Sequence, residues 1–304
     1  MDGIRRWRVA DGQEAGKQTG MDMNAICVSR DGKWIVCGTA TGTSVWDAEL
    51  KRKVVEVEDT NWVRAIDVSP ESTRFATATG RNDSDGDASI WSITTGERLA
   101  GPLEHGSAVL GIKFSPDGGQ IATACEGSIH IFHSYNGDQL ITIKNPLAGE
   151  FLLSPIVWSS DGRLFAICEG GEIKTFDTST GSQMAEWKIS SHDSGNPMAI
   201  TLSGDNRFIA SLTGQAVSFW DTSTHIQLGS VSEDVEEIQS IALSPDGSHL
   251  ATGGKNKAIT IWNISDILPE SYLRITVSTI FPMFGRVKAF VYRSKILVLL
   301  ERRM

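Results

Sequence analysis

The chain has 304 residues, 40% of them apolar, and a formal net charge of −9. That apolar share supports a sizeable core, while the acidic balance argues against nonspecific nucleic-acid binding, which depends on neutralising phosphates. No apolar stretch reaches the ~20 residues a helix needs to cross a bilayer, so no membrane role is expected.

The N-terminal stretch MDGIRRWRVADG has no apolar run of the signal-peptide kind. IRRWRVADG (4–12) instead matches two later stretches, SIWSITTG (89–96) and ITIWNIS (259–265), with Trp7 in the place of their tryptophan. The chain is therefore expected to start inside a repeat.

From residue 29 onward one tetrad recurs: SRDG (29–32), SPES (69–72), SPDG (115–118), SSDG (159–162), SGDN (203–206) and SPDG (244–247). The spacings are 40, 46, 44, 44 and 41 residues. Each tetrad is followed at a steady distance by an aromatic closing an alternating apolar run: Trp46, Trp91, Phe132, Phe176, Trp220 and Trp262. Pro, Asp and Gly mark tight reversals, and short alternating runs suit strands. FSPDGGQIATACEGSIHIFH (114–133) thus reads as strand, turn, strand, turn, strand.

A period of about 40–45 residues with Trp-Asp at a strand end marks propeller blades. On these residues the chain resembles the WD40-repeat family, from Ile4 to about Val277. The resemblance implies an all-β, WD40-type β-propeller of four-stranded antiparallel blades with almost no helix. It replaces the two domains that length alone suggests with one, spanning 1–304, with six full repeats at about 21–277. In residues 105–144 the first strand is expected at 109–114, the second at 121–125, the third at 128–132 and the outer one at 139–144. Gly137 serves the last turn.

The family pattern also implies a polar network in each blade, joining a His, a Ser or Thr, an Asp and the Trp. Here the Ser/Thr place is kept at Thr77, Thr123, Ser211 and Thr252, and the His only at His105. The Asp place is mostly absent, with Asn256 in one blade and the turn RNDSDGD (81–87) in another. A part-filled network adds little, so apolar packing between blades should hold the ring. Trp34, Trp46, Trp91, Trp158, Trp220 and Trp262 are expected in the core.

Trp62 differs, because DTNWVRAI precedes a first strand, where the chain crosses the top of the ring. It either tucks against the adjacent blade or, with Asp59 and Arg64, forms an anchor for a protein partner. Glu104 and His105 occupy the corresponding place in the next blade. These five residues are the expected partner-binding set.

At the C-terminus, RVKAFVY (286–292) and KILVLL (295–300) read as a hairpin. It would supply the inner strands that the N-terminal stretch lacks, closing a seven-bladed ring with one blade shared by both chain ends. A truncated start and an aberrant end would look the same, and the chain would then be a piece of a longer repeat-containing signalling or sensor protein. The tail from Ser271 carries five Arg and two Lys against one Glu, a balance of +6 that leaves −15 on residues 1–270.

Cys27, Cys37, Cys125 and Cys168 form no C-x-x-C pair, and the last three are placed at the ends of second strands. They read as reduced, buried thiols in a cytoplasmic or nuclear protein, with no metal site. TATGRNDSDGD (77–87) lacks the spacing of an EF-hand and reads as a solvated insertion. No nucleophile–base set or phosphate loop is present. The expectation is a noncatalytic scaffold for a protein or peptide partner, without a cofactor. The alternative from another class is a quinoprotein-like propeller enzyme, with a cofactor in a channel to which Arg64, Asp67 and Lys113 contribute.

Overall fold

The computed structural model describes residues 3–8, 11–19, 23–58, 61–80, 86–144, 152–168, 171–189, 198–232, 238–254, 258–272, 286–292 and 295–301. The chain begins with β1 (Gly3–Arg8) and β2 (Glu14–Thr19). The first blade is β3 (Met23–Val28), β4 (Trp34–Thr39), β5 (Gly42–Asp47) and β6 (Lys53–Glu58). The second is β7 (Val63–Val68), β8 (Arg74–Thr79), β9 (Gly86–Ser92) and β10 (Arg98–His105). The third is β11 (Val109–Phe114), β12 (Gln120–Cys125), β13 (Ser128–His133) and β14 (Gln139–Lys144), within a residue of the expected strands. Gly137 takes φ +78° in its last turn.

The tetrads are the turns between first and second strands, and their serine explains why they recur. All six serines are buried. In the third blade the Ser115 hydroxyl accepts the Gln120 amide at 2.9 Å and donates to Asp117 at 2.6 Å. The same acceptance opens the second strand at Trp34, Arg74, Arg163, Phe208 and His249. One hydroxyl thus satisfies an amide that the tight turn would otherwise strand. The fourth residue is left-handed, at +73° in Gly118, and Ser72 and Asn206 hold that conformation at +61° and +62° without being glycine.

The fourth blade departs from the pattern. Its first strand is broken into β15 (Leu152–Ser154) and β16 (Ile156–Trp158), followed by β17 (Arg163–Cys168), β18 (Glu172–Asp177) and β19 (Gln183–Lys188). Pro155 stands at the break; it has no N–H to donate and cannot continue a ladder. β15 turns away and pairs in parallel with β20 (Met198–Leu202), the first strand of the fifth blade. Opposite the break sits Gly111, where a Cβ would come within 2.9 Å of the Pro155 ring. Glycine here is required by close approach.

The fifth blade continues with β21 (Phe208–Thr213), β22 (Ala216–Asp221) and β23 (Gln227–Ser232). The sixth has β24 (Ile238–Leu243), β25 (His249–Gly254) and β26 (Ile259–Asn263), so three strands among the described residues. The outer strand expected before residue 277 lies largely outside them. Two short 3-10 turns, Ile264–Asp266 and Glu270–Tyr272, follow β26. This segment packs on the fifth blade: the Tyr272 hydroxyl donates to Asp221 at 2.5 Å, and Arg207 donates to the Ser271 and Tyr272 carbonyls.

The expected C-terminal hairpin is present as β27 (Arg286–Tyr292) and β28 (Lys295–Glu301). β27 pairs antiparallel with β1, giving the strand order β2-β1-β27-β28. β28 lies beside β3 and β24.

The core is divided among the seams between blades. Ala76, Ile90, Val109, Ile112 and Phe132 join the second blade to the third, and Ile129, Phe165, Ile173 and Ile209 join the third, fourth and fifth. The second strands are buried on both faces between neighbouring sheets, as in β8 and β12, whereas the outer strands, such as β6 and β14, keep alternating exposed positions. Cys125 and Cys168 end their strands as expected, but Cys37 sits within β4, opposite Ser44, in the register position that Thr123 fills in β12.

Candidate functional site

At the top of the ring Trp62 precedes β7 and is 41% exposed. Its carbonyl accepts the Gly80 amide at 3.2 Å, and the Arg64 Nε donates to the Gly80 carbonyl at 2.8 Å. Both side chains therefore stand on a backbone fixed by the end of β8. Gly80 in turn abuts Ala108, where a Cβ would meet it at 2.5 Å. Glu104 is exposed near the end of β10, opposite Asp87 of β9. Asp59, expected in the same patch, lies outside the described residues, as do Asn256 and residues 81–85 of the turn RNDSDGD; Asp87 of that turn accepts from the Thr79 hydroxyl at 3.1 Å.

His105 does not join this surface. It is buried, with Nε2 2.8 Å from the Thr123 hydroxyl and Nδ1 2.7 Å from the Leu103 carbonyl. Burial pushes its pKa down to about 4; neighbouring His130 adds to the fall, and the Leu103 carbonyl opposes it. Its place before the first strand suggested an exposed loop, but β10 extends through His105 and carries the imidazole inward. Its role is structural, tying the second blade to the third.

The repeated aromatics are structural in their contacts. Trp46, Trp91, Phe132, Phe176 and Trp158 are buried, and Trp34, Trp220 and Trp262 are half-buried. The indole N–H of Trp91 donates to Thr77, that of Trp220 to Ser211 and that of Trp262 to Thr252, each at 3.0 Å. The incomplete networks thus still close pairwise. In the first blade, where Cys37 replaces the hydroxyl residue, Trp46 donates to Ser44 at 2.9 Å.

The first strands surround a central cavity of about 400 Å³. Arg64, Asp67 and Lys113 all line it. Cys27, Asp67 and Lys113 each stand two residues before a turn serine, so successive blades present them side by side. The Lys113 ammonium donates to Asp67 Oδ1 at 2.9 Å, and the Phe114 amide donates to Asp67 Oδ2 at 2.9 Å. Burial alone would lower the Lys113 pKa; the Asp67 carboxylate more than offsets it, and the net shift is upward. Burial, reinforced by Asp67 and opposed by Lys113, pushes the Cys27 thiol up to about 12, so it stays protonated and a poor nucleophile. The shared register position was the sequence signal for this pairing.

Comparisons with known proteins agree with this architecture. The family model for the WD domain, G-beta repeat, matches residues 98–133 and 227–263. Each match starts on an outer strand and ends on the third strand of the next blade, so the sequence repeat steps across a blade boundary. No curated protein matches the chain by sequence. Among solved structures, the β-propeller domain of Cps50 (Swd1) from Myceliophteria thermophila superposes with a TM-score of 0.69 at 14% identity, covering 83% of this chain and 87% of that one. A hydrazine synthase from Kuenenia stuttgartiensis superposes with a TM-score of 0.67 at 19% identity, covering 82% and 78%. At such identities the likeness is one of fold. Two stretches of the chain match the WD40 repeat, and the fold is an all-β propeller of antiparallel blades.

Proposed function

We propose that this protein is a noncatalytic scaffold that docks a protein or peptide on the top face of its ring. The observation that carries this reading is the exposed Trp62 beside Arg64, both held on the Gly80 backbone. An aromatic and a guanidinium on a rigid backbone make favoured anchors, and the guanidinium, already bonded to the Gly80 carbonyl, has less side-chain freedom to lose on binding. Glu104 and Asp59 would add the acidic rim of the patch; His105 is withdrawn from it. Replacing Trp62 and Arg64 together by Ala should abolish capture of a partner identified by mass spectrometry while the melting transition stays near wild type. Binding that survives both changes would place the interface elsewhere.

The ring is read as a single domain over 1–304, closed by a seventh blade shared by both chain ends. The strand order β2-β1-β27-β28 and the position of β28 between β3 and β24 support that reading. Deleting 280–304 should then lower the thermal transition, and an unchanged transition would refute the shared blade. The four unpaired cysteines suit a reducing, intracellular setting. The enzyme alternative would put a cofactor in the channel, and a visible absorbance band in the purified protein would favour it.

A further inference from the structure

The central cavity is asymmetric in a way that the scaffold role does not require. At the level of Lys113, two residues before each turn serine, the wall runs Cys27, Asp67, Lys113, Val157, Thr201 and Ala242, so it carries charge in the second and third blades and apolar side chains at Val157 and Ala242. Among the described residues lining it, Arg64 and Lys113 are the cations and Asp67 the one carboxylate. The described part of the lining therefore carries +1, inside a chain of net charge −9.

The two members of the ion pair are not equally occupied. Asp67 accepts on both oxygens, from Lys113 and from the Phe114 amide. An ammonium has three protons, and Asp67 is the hydrogen-bond partner that Lys113 has among the described residues. Its side chain is 33% exposed, and that exposure is to the cavity it lines. The free donor capacity therefore belongs to the cation, with the apolar side chains of Val157 and Ala242 farther round the same wall. The volume, about 400 Å³, falls within the range of roughly 300–1,000 Å³ for small-molecule sites.

We propose that the central channel binds a small organic monoanion, an aliphatic or aromatic monocarboxylate. Its carboxylate takes the remaining Lys113 donors and its apolar body lies toward Val157 and Ala242. A polyanion is disfavoured because Asp67 stands beside the cation, and a cation because Asp67 is already satisfied. Failure of this proposal leaves the docking role of Trp62 untouched, since the two are read by different ligands.

The test is isothermal titration of the full chain with octanoate, with octanol and inorganic phosphate as comparisons. Octanoate should bind saturably at one site, at least tenfold more tightly than either. Lys113→Met should weaken it at least tenfold. Because that change strands Asp67, Ala242→Phe provides a second variant: it fills the apolar wall without touching the ion pair and should also weaken octanoate at least tenfold. An absence of saturable octanoate binding, equal binding by octanol or phosphate, or undiminished binding by a folded Ala242→Phe variant would overturn the proposal.

Discussion

Acidification should destabilise this ring in two separate windows, and His105 sets the first. Its folded-state pKa is about 4 against an ordinary 6.5. The unfolded chain therefore binds more protons than the folded one between those values, so stability falls as pH drops through 6.5 and the loss is complete below about 4. Integrating over the part of that window between pH 7 and pH 5 gives a loss of about 2 kcal/mol from this one imidazole. The cause is concrete: Nε2 faces the Thr123 hydroxyl and Nδ1 the Leu103 carbonyl inside a buried seam, where a charge would go unsolvated. The second window is that of the turn aspartates. The Ser115 hydroxyl and Gly119 amide hold Asp117 below the usual carboxylate range, so its contribution is present above pH 4 and lost only below it. The assay is urea unfolding at pH 7 and pH 5 for wild type and for His105→Gln, which keeps hydrogen-bonding capacity without titrating. Wild type should lose about 2 kcal/mol more than the variant between the two pH values. An equal loss in both proteins would refute the argument, because the acid sensitivity would then arise elsewhere.

Trp91→Ala should cost ~3–5 kcal/mol on denaturant melts, since the ring is buried, stacks on Phe75 at 6.3 Å and donates to Thr77. Trp62→Ala should cost far less, and equal losses would remove Trp62 as a binding anchor. Ser115→Ala should cost about 1–3 kcal/mol by leaving the Gln120 amide unpaired, and Ser115→Thr should recover part of it. Gly111→Val should destabilise by about 1–3 kcal/mol through overlap with the Pro155 ring, and Pro155→Ala in the same chain should relieve part of that loss, as read by thermal unfolding.

The sequence by itself determined the fold class. Turn chemistry and strand alternation are local properties, and a repeat writes them six times in phase, so the strands of the third blade could be placed within a residue. The Ser/Thr positions were legible for the same reason: Thr77, Ser211 and Thr252 recur at one register and meet their indoles there. Only the tertiary structure decided what depends on neighbouring blades. His105 and Thr123 are both legible as members of the family's polar network, but the withdrawal of His105 from the top-face patch appears only when β10 runs through it and seals it against the next sheet. The break at Pro155, the pairing of β15 with the fifth blade and the need for Gly111 against the Pro155 ring all arise from contacts between blades. Asp67 and Lys113 are 46 positions apart and become an ion pair because the ring sets two first strands side by side, and a periodic pattern fixes each residue's register without stating the chemistry of its neighbour in space.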